Sequence, residues 1–166
     1  MAPAGGIRTV AVMATLKEAA AAFLASERIA VTGVSRTPQN HGANTVYKRL
    51  RDRGYHVFAV NPNADVVEGD HCYHELGEIP GGGDAVVIAT RPAAAEATMR
   101  ECAELGISGV WMHRGIGPGS LCDDATVYGR GHGITVIDGG CPLMFAPASD
   151  VAHKIMRLFA RVPTSV

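Results

Sequence analysis

The stretch of sequence that decides the fold reads Ile29-Ala30-Val31-Thr32-Gly33-Val34-Ser35-Arg36. It predicts a short strand buried on both faces, because its apolar residues follow one another without alternation. The strand ends in a turn that contains glycine, and residues 42–53 are predicted to form the next helix. Backbone N–H groups at a helix N-terminus are unpaired and carry partial positive charge. This strand, turn and helix therefore predict an anion site, and we expect it to hold the phosphates of a nucleotide-type ligand.

The rest of the chain alternates strands with helices. A first helix is expected from the capping box Thr15-Leu16-Lys17-Glu18 to about Ser26. Strands are predicted at Arg28–Val34, Tyr55–Val60, Asp84–Thr90, Gly109–His113 and Ile134–Asp138. Helices are predicted at 43–53, at 92–105, from the segment 117–120 to about 130, and after Ser149 or Asp150. Residues 66–73 are expected to form a short extra strand or a covering loop. The alternation predicts an α/β fold, with a mainly parallel five-stranded sheet and helices on both faces.

Composition indicates an ordinary globular protein. The 166 residues are 47% hydrophobic and 19% charged, and we assign residues 15–162 to one domain after a flexible N-terminus at 1–14. A net charge of -1 gives no reason to expect a nucleic-acid or anionic-membrane partner. No apolar run is long enough to span a bilayer, and the N-terminus lacks a signal-peptide layout. These features predict a cytoplasmic protein.

Cysteines and histidines give no metal pattern. Cys72, Cys102, Cys122 and Cys141 lie far apart, and we expect them to be reduced thiols. The segment His71-Cys72-Tyr73-His74 has a loosely ligand-like spacing, but no second cluster completes it. We therefore expect no metal site and assign no catalytic residue.

The predicted carboxyl ends of the strands carry small, polar or cationic residues. In an open parallel sheet, ligands bind beyond these ends, at the point where the strand order reverses. The residues there are Gly33, Val34, Ser35 and Arg36 after the first strand, Asn61 and Pro62 after the second, Thr90, Arg91 and Pro92 after the third, His113, Arg114 and Gly115 after the fourth, and Gly139, Gly140 and Cys141 after the fifth. This edge is suited to a phosphorylated ligand.

A nicotinamide dinucleotide is the usual ligand of such an edge, and the sequence argues against it. The G-x-G-x-x-G fingerprint is absent after the first strand, where the chain reads Gly33-Val34-Ser35. The acidic residue expected to bind the ribose at the end of the second strand is replaced by Asn61. No Lys or Tyr stands in an evident position for hydride chemistry.

An ordered set of short motifs runs through most of the chain. It consists of Val31-Thr32-Gly33-Val34-Ser35, Asn44 and Val46, Gly54-Tyr55, Val60-Asn61-Pro62, Ile79-Pro80, Asp84 to Arg91-Pro92, Trp111-Met112 with Gly115, and Cys141-Pro142. In this order the motifs resemble the small stand-alone CoA-binding proteins, over about residues 16–145. Those proteins are similar to the CoA-binding domain of the succinyl-CoA synthetase α subunit. The resemblance implies a Rossmann-like, doubly wound fold with coenzyme A as the ligand.

The resemblance also implies a role for each site residue. It places the CoA diphosphate against Gly33, Val34, Ser35 and Arg36, with Asn44 near the helix start. Asn61 and Pro62 border the adenosine, Thr90, Arg91 and Pro92 line the site toward the pantetheine, and Trp111 forms the wall beyond. The chain departs from the family where His113 replaces a common Gln and where Gly139-Gly140 replace a common Asp-Arg pair. The phospho-histidine domain of the synthetase is absent from this chain, so the resemblance implies no catalysis.

Three hypotheses stay open at this stage. The first is a protein that binds CoA or an acyl-CoA without chemistry of its own. The second is an NAD(P)-dependent oxidoreductase, and the third is an interaction module whose groove is filled by its own side chains. A basic face on the last predicted helix is expected to be solvated, and a homodimer contact there is left open.

Overall fold

The computed structural model describes residues 15–37, 42–115, 119–149 and 151–159. The predicted flexible N-terminus at 1–14 lies outside the described residues, as do residues 117 and 118 of a predicted helix start and the predicted cap Asp150.

Seven strands and five helices make up the described structure. The strands are β1 (Arg28–Thr32), β2 (His56–Val60), β3 (Val66–Val67), β4 (Asp70–Tyr73), β5 (Ala85–Ile88), β6 (Gly109–Met112) and β7 (Thr135–Asp138). The helices are α1 (Leu16–Leu24), α2 (Gly42–Asp52), α3 (Pro92–Glu104), α4 (Asp123–Gly131) and α5 (Val151–Phe159). Short 3₁₀ turns lie at Leu76–Glu78 and Pro142–Met144.

The strands form one twisted sheet in the order β3-β4-β2-β1-β5-β6-β7. Every neighbouring pair is parallel except β3 and β4, which are antiparallel. The chain leaves β1 toward β2 on one side and later returns to β5 on the other, so the strand order reverses between β1 and β5. A ligand crevice is expected at that point in folds of this kind.

Helices cover both faces of the sheet, which confirms the predicted Rossmann-like α/β architecture. Helices α1 and α2 pack on one face with Val31, Leu50 and Trp111 in the core between them. Helices α3 and α4 pack on the other face over Ala30, Val86 and other side chains of β5 to β7. Adjacent residues of β1 therefore point into two separate core layers, as its unbroken apolar run predicts.

The expected count of five strands is wrong, because residues 66–73 form two further strands. Glu68 and Gly69 both have positive φ values, 51° and 83°, and make the tight turn of a β3–β4 hairpin. Strand β4 then extends the sheet by pairing with β2. One helix start also differs from its prediction: α4 begins at Asp123, after Cys122, rather than within 117–120.

The described part of the chain contains no helix long and apolar enough to cross a membrane. Its four cysteines are free thiols. No group of three His, Cys, Asp or Glu within the described ranges is placed to hold a metal ion.

Candidate functional site

Strands β1 and β5 end in close contact at the reversal point. Gly33 leaves β1 with φ +79°, and its N–H donates to the Val60 carbonyl at 3.0 Å. A Cβ on Gly33 would stand 2.4 Å from the carbonyl oxygen of Ala89, which follows β5. Both the backbone angle and the space therefore require glycine here. The close approach sets the backbone of the turn directly against the end of β5.

Asn44 holds the turn that follows Gly33. Its Oδ1 accepts a hydrogen bond from the Ser35 N–H at 2.8 Å, and its Nδ2 donates to the Ser35 carbonyl at 2.9 Å. The second Nδ2 proton goes to Glu68 Oε1 at 2.8 Å. Asn44 is 1% exposed and lies in the first turn of α2. The side chain thus ties the turn to the start of the helix that was predicted to form the anion site.

Ser35 also shapes the turn through its hydroxyl. Its Oγ accepts from the Thr37 N–H at 3.1 Å and lies 3.1 Å from the Thr37 Oγ1. Ser35 is half-buried, whereas Arg36 is exposed. The turn therefore places an exposed cation beside a fixed backbone loop.

Asn61 joins the end of β2 to the same turn. Its Nδ2 donates to the Val34 carbonyl at 2.7 Å, and its Oδ1 accepts from the Asn63 N–H at 2.8 Å. Both ends of the amide are thus used by the backbone, and Pro62 is exposed next to it. Val34 itself is fully buried, so only its backbone faces this edge.

The end of β5 carries an unpartnered hydroxyl. The Oγ1 of Thr90 is buried and has no hydrogen-bond partner within the described structure. The Thr90 carbonyl is occupied, since it accepts from the Ser120 hydroxyl at 2.5 Å. Arg91 is the exposed N-cap of α3 and makes no side-chain cap bond, and Pro92 takes the first helical position. Buried polar atoms are normally hydrogen-bonded, so the Thr90 hydroxyl is an exception at this edge of the sheet.

His113, at the end of β6, packs against the start of α2. A Cβ on Gly42 would stand 2.8 Å from its Cε1 atom, so a residue without a side chain fits at this first position of the helix. Burial, with a further contribution from His153 on α5, lowers the pKa of His113 to about 4. A neutral ring therefore lies beside the N-terminus of α2 at neutral pH.

Trp111 lies in the core, which corrects the position that the resemblance implied. It is 0% exposed, and its Nε1 donates to the Gly139 carbonyl at 2.9 Å. Its ring packs edge-on against Phe23 and at a tilt against Phe145. It therefore supports the loop after β7 from below and forms no wall of the crevice. The reason is that a strand covered on both faces buries its side chains whichever way they point.

Hydrogen bonds thus tie the turn after β1 to Val60, Asn61 and Asn44, and Thr90 follows Ala89, which lies against Gly33. Sequence reasoning missed Glu68, the carboxylate behind Asn44. The signal available for it was Gly69, since a glycine between two short strand-forming segments favours a tight hairpin turn.

Comparisons with known proteins give one family match and several similar proteins. A family described as "CoA binding domain" matches residues 27–147. The ADP-forming acetate–CoA ligase II of Archaeoglobus fulgidus is 37% identical over 83 residues, and the match covers 49% of this chain but 12% of the ligase. The uncharacterized protein YneT of Bacillus subtilis is 32% identical over 91 residues, which cover 55% of this chain and 67% of that protein.

A solved structure, titled a hypothetical protein from Pyrococcus horikoshii OT3, has a TM-score of 0.70 at 24% identity. The likeness covers 86% of this chain and 94% of that one. At this identity the likeness concerns the fold alone. The chain spans a small part of the ligase that it matches, so the activity of that enzyme does not carry over with the match.

Proposed function

We propose a function from one premise: the chain belongs to the family of CoA-binding domains. On this premise, the chain binds coenzyme A or an acyl-CoA at the carboxyl edge of the sheet, and the diphosphate of the ligand lies at the turn 33–35. The observation that carries this proposal is the clamp between Asn44 and Ser35, which fixes a backbone loop beside the first turn of α2. A fixed loop of this kind next to a helix N-terminus favours an anionic group.

Two features of this edge fit the proposed ligand. Gly33 lets the turn pack directly against the end of β5, because a Cβ there would meet the Ala89 carbonyl, and this close packing keeps the turn beside Thr90. The Thr90 hydroxyl is a buried donor and acceptor without a partner, which suits the amide-rich pantetheine arm. Arg36 and Arg91 add exposed positive charge on either side.

The remaining predicted contacts follow the same orientation. Asn61 and Pro62 border the adenosine, and Thr90, Arg91 and Pro92 line the pantetheine side. Gly33, Ser35, Arg36 and the backbone of Val34 surround the diphosphate, while the buried Asn44 holds this turn from behind. Trp111 makes no contact with the ligand in this proposal. The amide of Asn61 is already held by Val34 and Asn63, and a neutral amide there does not supply the charged acceptor that a dinucleotide ribose requires. The proposal is one of binding, and it assigns no reaction to the chain.

Calorimetric titration of the purified protein tests the proposal, with CoA, acetyl-CoA, NAD and NADP run in parallel. We expect saturable binding of CoA or acetyl-CoA and no heat from the dinucleotides. Binding of NAD or NADP alone would instead favour the oxidoreductase hypothesis. Mass spectrometry of the denatured protein accompanies the titration, so that a carried-over ligand is not mistaken for a failure to bind. No binding by a protein shown to be ligand-free would overturn the proposal.

A further inference from the structure

Glu68 occupies a backbone position that side chains rarely adopt. Its φ is +51°, and it is the one non-glycine residue with a positive φ within the described ranges. It is the first residue of the β3–β4 turn, where glycine or asparagine is the usual choice. The left-handed conformation is unfavourable for glutamate, so we expect the contacts of its side chain to offset the cost of this backbone conformation.

The Glu68 side chain is held against one face of α2. Oε1 accepts from Asn44 Nδ2 at 2.8 Å, and Oε2 lies 3.5 Å from Lys48 Nζ. The backbone carbonyl of the same residue accepts from Arg51 Nη1 at 3.1 Å. The side chain is 12% exposed, so the carboxylate is largely shielded from water. The tip of the hairpin is therefore fixed by three residues of the helix that borders the candidate site.

Glu68 completes the set of hydrogen bonds that orients the Asn44 amide. The amide has two donor protons and one acceptor oxygen, and Ser35 uses one of each. The remaining proton is bound by the carboxylate, which can only accept while ionised. A flipped amide would place its oxygen against Glu68 and its NH₂ group against the Ser35 N–H. These contacts would be repulsive, as would the contact of the flipped amide oxygen with the Ser35 carbonyl, so Ser35 and the carboxylate together select the one orientation that holds the turn.

We propose that Glu68 is a positioning residue: it fixes the Asn44 amide and so keeps the Ser35 turn in its ligand-binding shape. The hairpin β3–β4 thereby sets the affinity of a site that it does not line. The effect on affinity rests on the proposed function. The effect on the Ser35 turn rests on the geometry alone and can be measured in the protein without a ligand.

The variant Glu68→Gly separates positioning from simple stabilisation. Glycine removes the carboxylate and also relieves the positive φ, so folding stability is expected to stay close to that of the wild type. Amide exchange at the Ser35 N–H, followed by NMR, is expected to become faster by about tenfold or more, because the Asn44 amide that accepts from it loses one of its three anchoring hydrogen bonds. The dissociation constant for CoA is expected to rise by a similar factor of about ten.

Two further variants serve as controls. Glu68→Gln keeps an acceptor oxygen for Asn44, and we expect it to restore both the exchange rate and the affinity to within about threefold of the wild type. Lys48→Ala removes the ion pair with Glu68 but leaves the bond to Asn44 intact. It should leave the Ser35 exchange rate unchanged.

The outcomes distinguish this inference from the function on which it builds. Unchanged exchange at Ser35 in Glu68→Gly would overturn the inference, whatever the ligand. Faster exchange with an unchanged CoA dissociation constant would also overturn it, because the turn would then not govern binding. If the wild type binds no CoA, the proposed function fails, and faster exchange in Glu68→Gly still supports the positioning of the turn by Glu68.

Discussion

The side-chain amide of Asn44 bonds both backbone polar groups of Ser35, accepting from its N–H at 2.8 Å and donating to its carbonyl at 2.9 Å. The two residues lie nine positions apart, one in the turn after β1 and the other in the first turn of α2. The side-chain amide thus makes the same two hydrogen bonds with Ser35 that the backbone of a neighbouring antiparallel strand would make. Because Asn44 is 1% exposed, water cannot replace these bonds when the amide is lost.

Replacing Asn44 with aspartate should therefore destabilise the protein. The carboxylate still accepts from the Ser35 N–H, but it faces the Ser35 carbonyl and the Glu68 carboxylate without a proton to donate. We expect the free energy of unfolding at pH 7 to fall by about 2–3 kcal/mol, measured by urea denaturation. Asn63→Asp, at an exposed position, is the matched control and should change stability by less than about 0.5 kcal/mol. Equal stability of the two variants would contradict the clamp.

Gly33→Ala tests the close approach of β1 and β5. The new Cβ would lie 2.4 Å from the Ala89 carbonyl oxygen, so the backbone at the ends of both strands must move. We expect a loss of about 3 kcal/mol or more of unfolding free energy. Gly54→Ala is the control, since Gly54 has φ +87° but nothing within 4 Å of its Cβ position. It should cost about 1 kcal/mol, the backbone contribution alone. Similar losses of unfolding free energy in the two variants would show that the backbone at Ala89 moves away from the new Cβ at little cost.

Several elements could be predicted from local sequence because their determinants are local. The capping box at Thr15 and Glu18 forms as predicted, with the Glu18 N–H 3.3 Å from the Thr15 Oγ1. Strand β1 follows from an apolar run, and Pro92 marks the first residue of α3. The parallel sheet follows from the alternation of such elements along the chain.

Other features depend on partners that are remote in sequence. Strand β3 has only two residues, and β4 reads Asp-His-Cys-Tyr without an apolar run, so its pairing with β2 is what defines it. The bond from Asn44 to Glu68 joins residues 24 positions apart in the sequence. The contact of His113 with Gly42 joins the end of β6 to the start of α2. The burial of Trp111 depends on a helix that covers its face of β6. The CoA contacts named from the resemblance stay predictions until a ligand is measured.

Ser35→Glu tests the assignment of the turn to an anionic ligand. A carboxylate at this half-buried position would stand where the diphosphate is proposed to lie, so CoA binding should be abolished while the protein stays folded. Ser35→Gln has the same size without the charge and should retain measurable binding. Calorimetry gives the affinities, and circular dichroism confirms that each variant is folded. Binding by Ser35→Glu at wild-type affinity would show that the phosphates lie elsewhere.

Because His113 is buried, we expect the protein to lose stability on mild acidification. Burial, together with His153, lowers its pKa to about 4, whereas an unfolded histidine titrates near about 6.5. Between these values the unfolded chain binds more protons than the folded one, so the free energy of unfolding decreases as the pH falls. The contribution is complete above about pH 6.5 and lost near about pH 4, and it amounts to about 3 kcal/mol at most.

The variant His113→Gln isolates this contribution, because glutamine does not titrate. Urea unfolding at a series of pH values from 4 to 7 should show a flatter profile for His113→Gln than for the wild type, by about 2–3 kcal/mol across the range. His56→Gln changes an exposed histidine at the start of β2 and should leave the wild-type slope in place. If His113→Gln keeps the full slope, the acid sensitivity arises from other groups, and the ring beside α2 is already protonated or solvated in the folded protein.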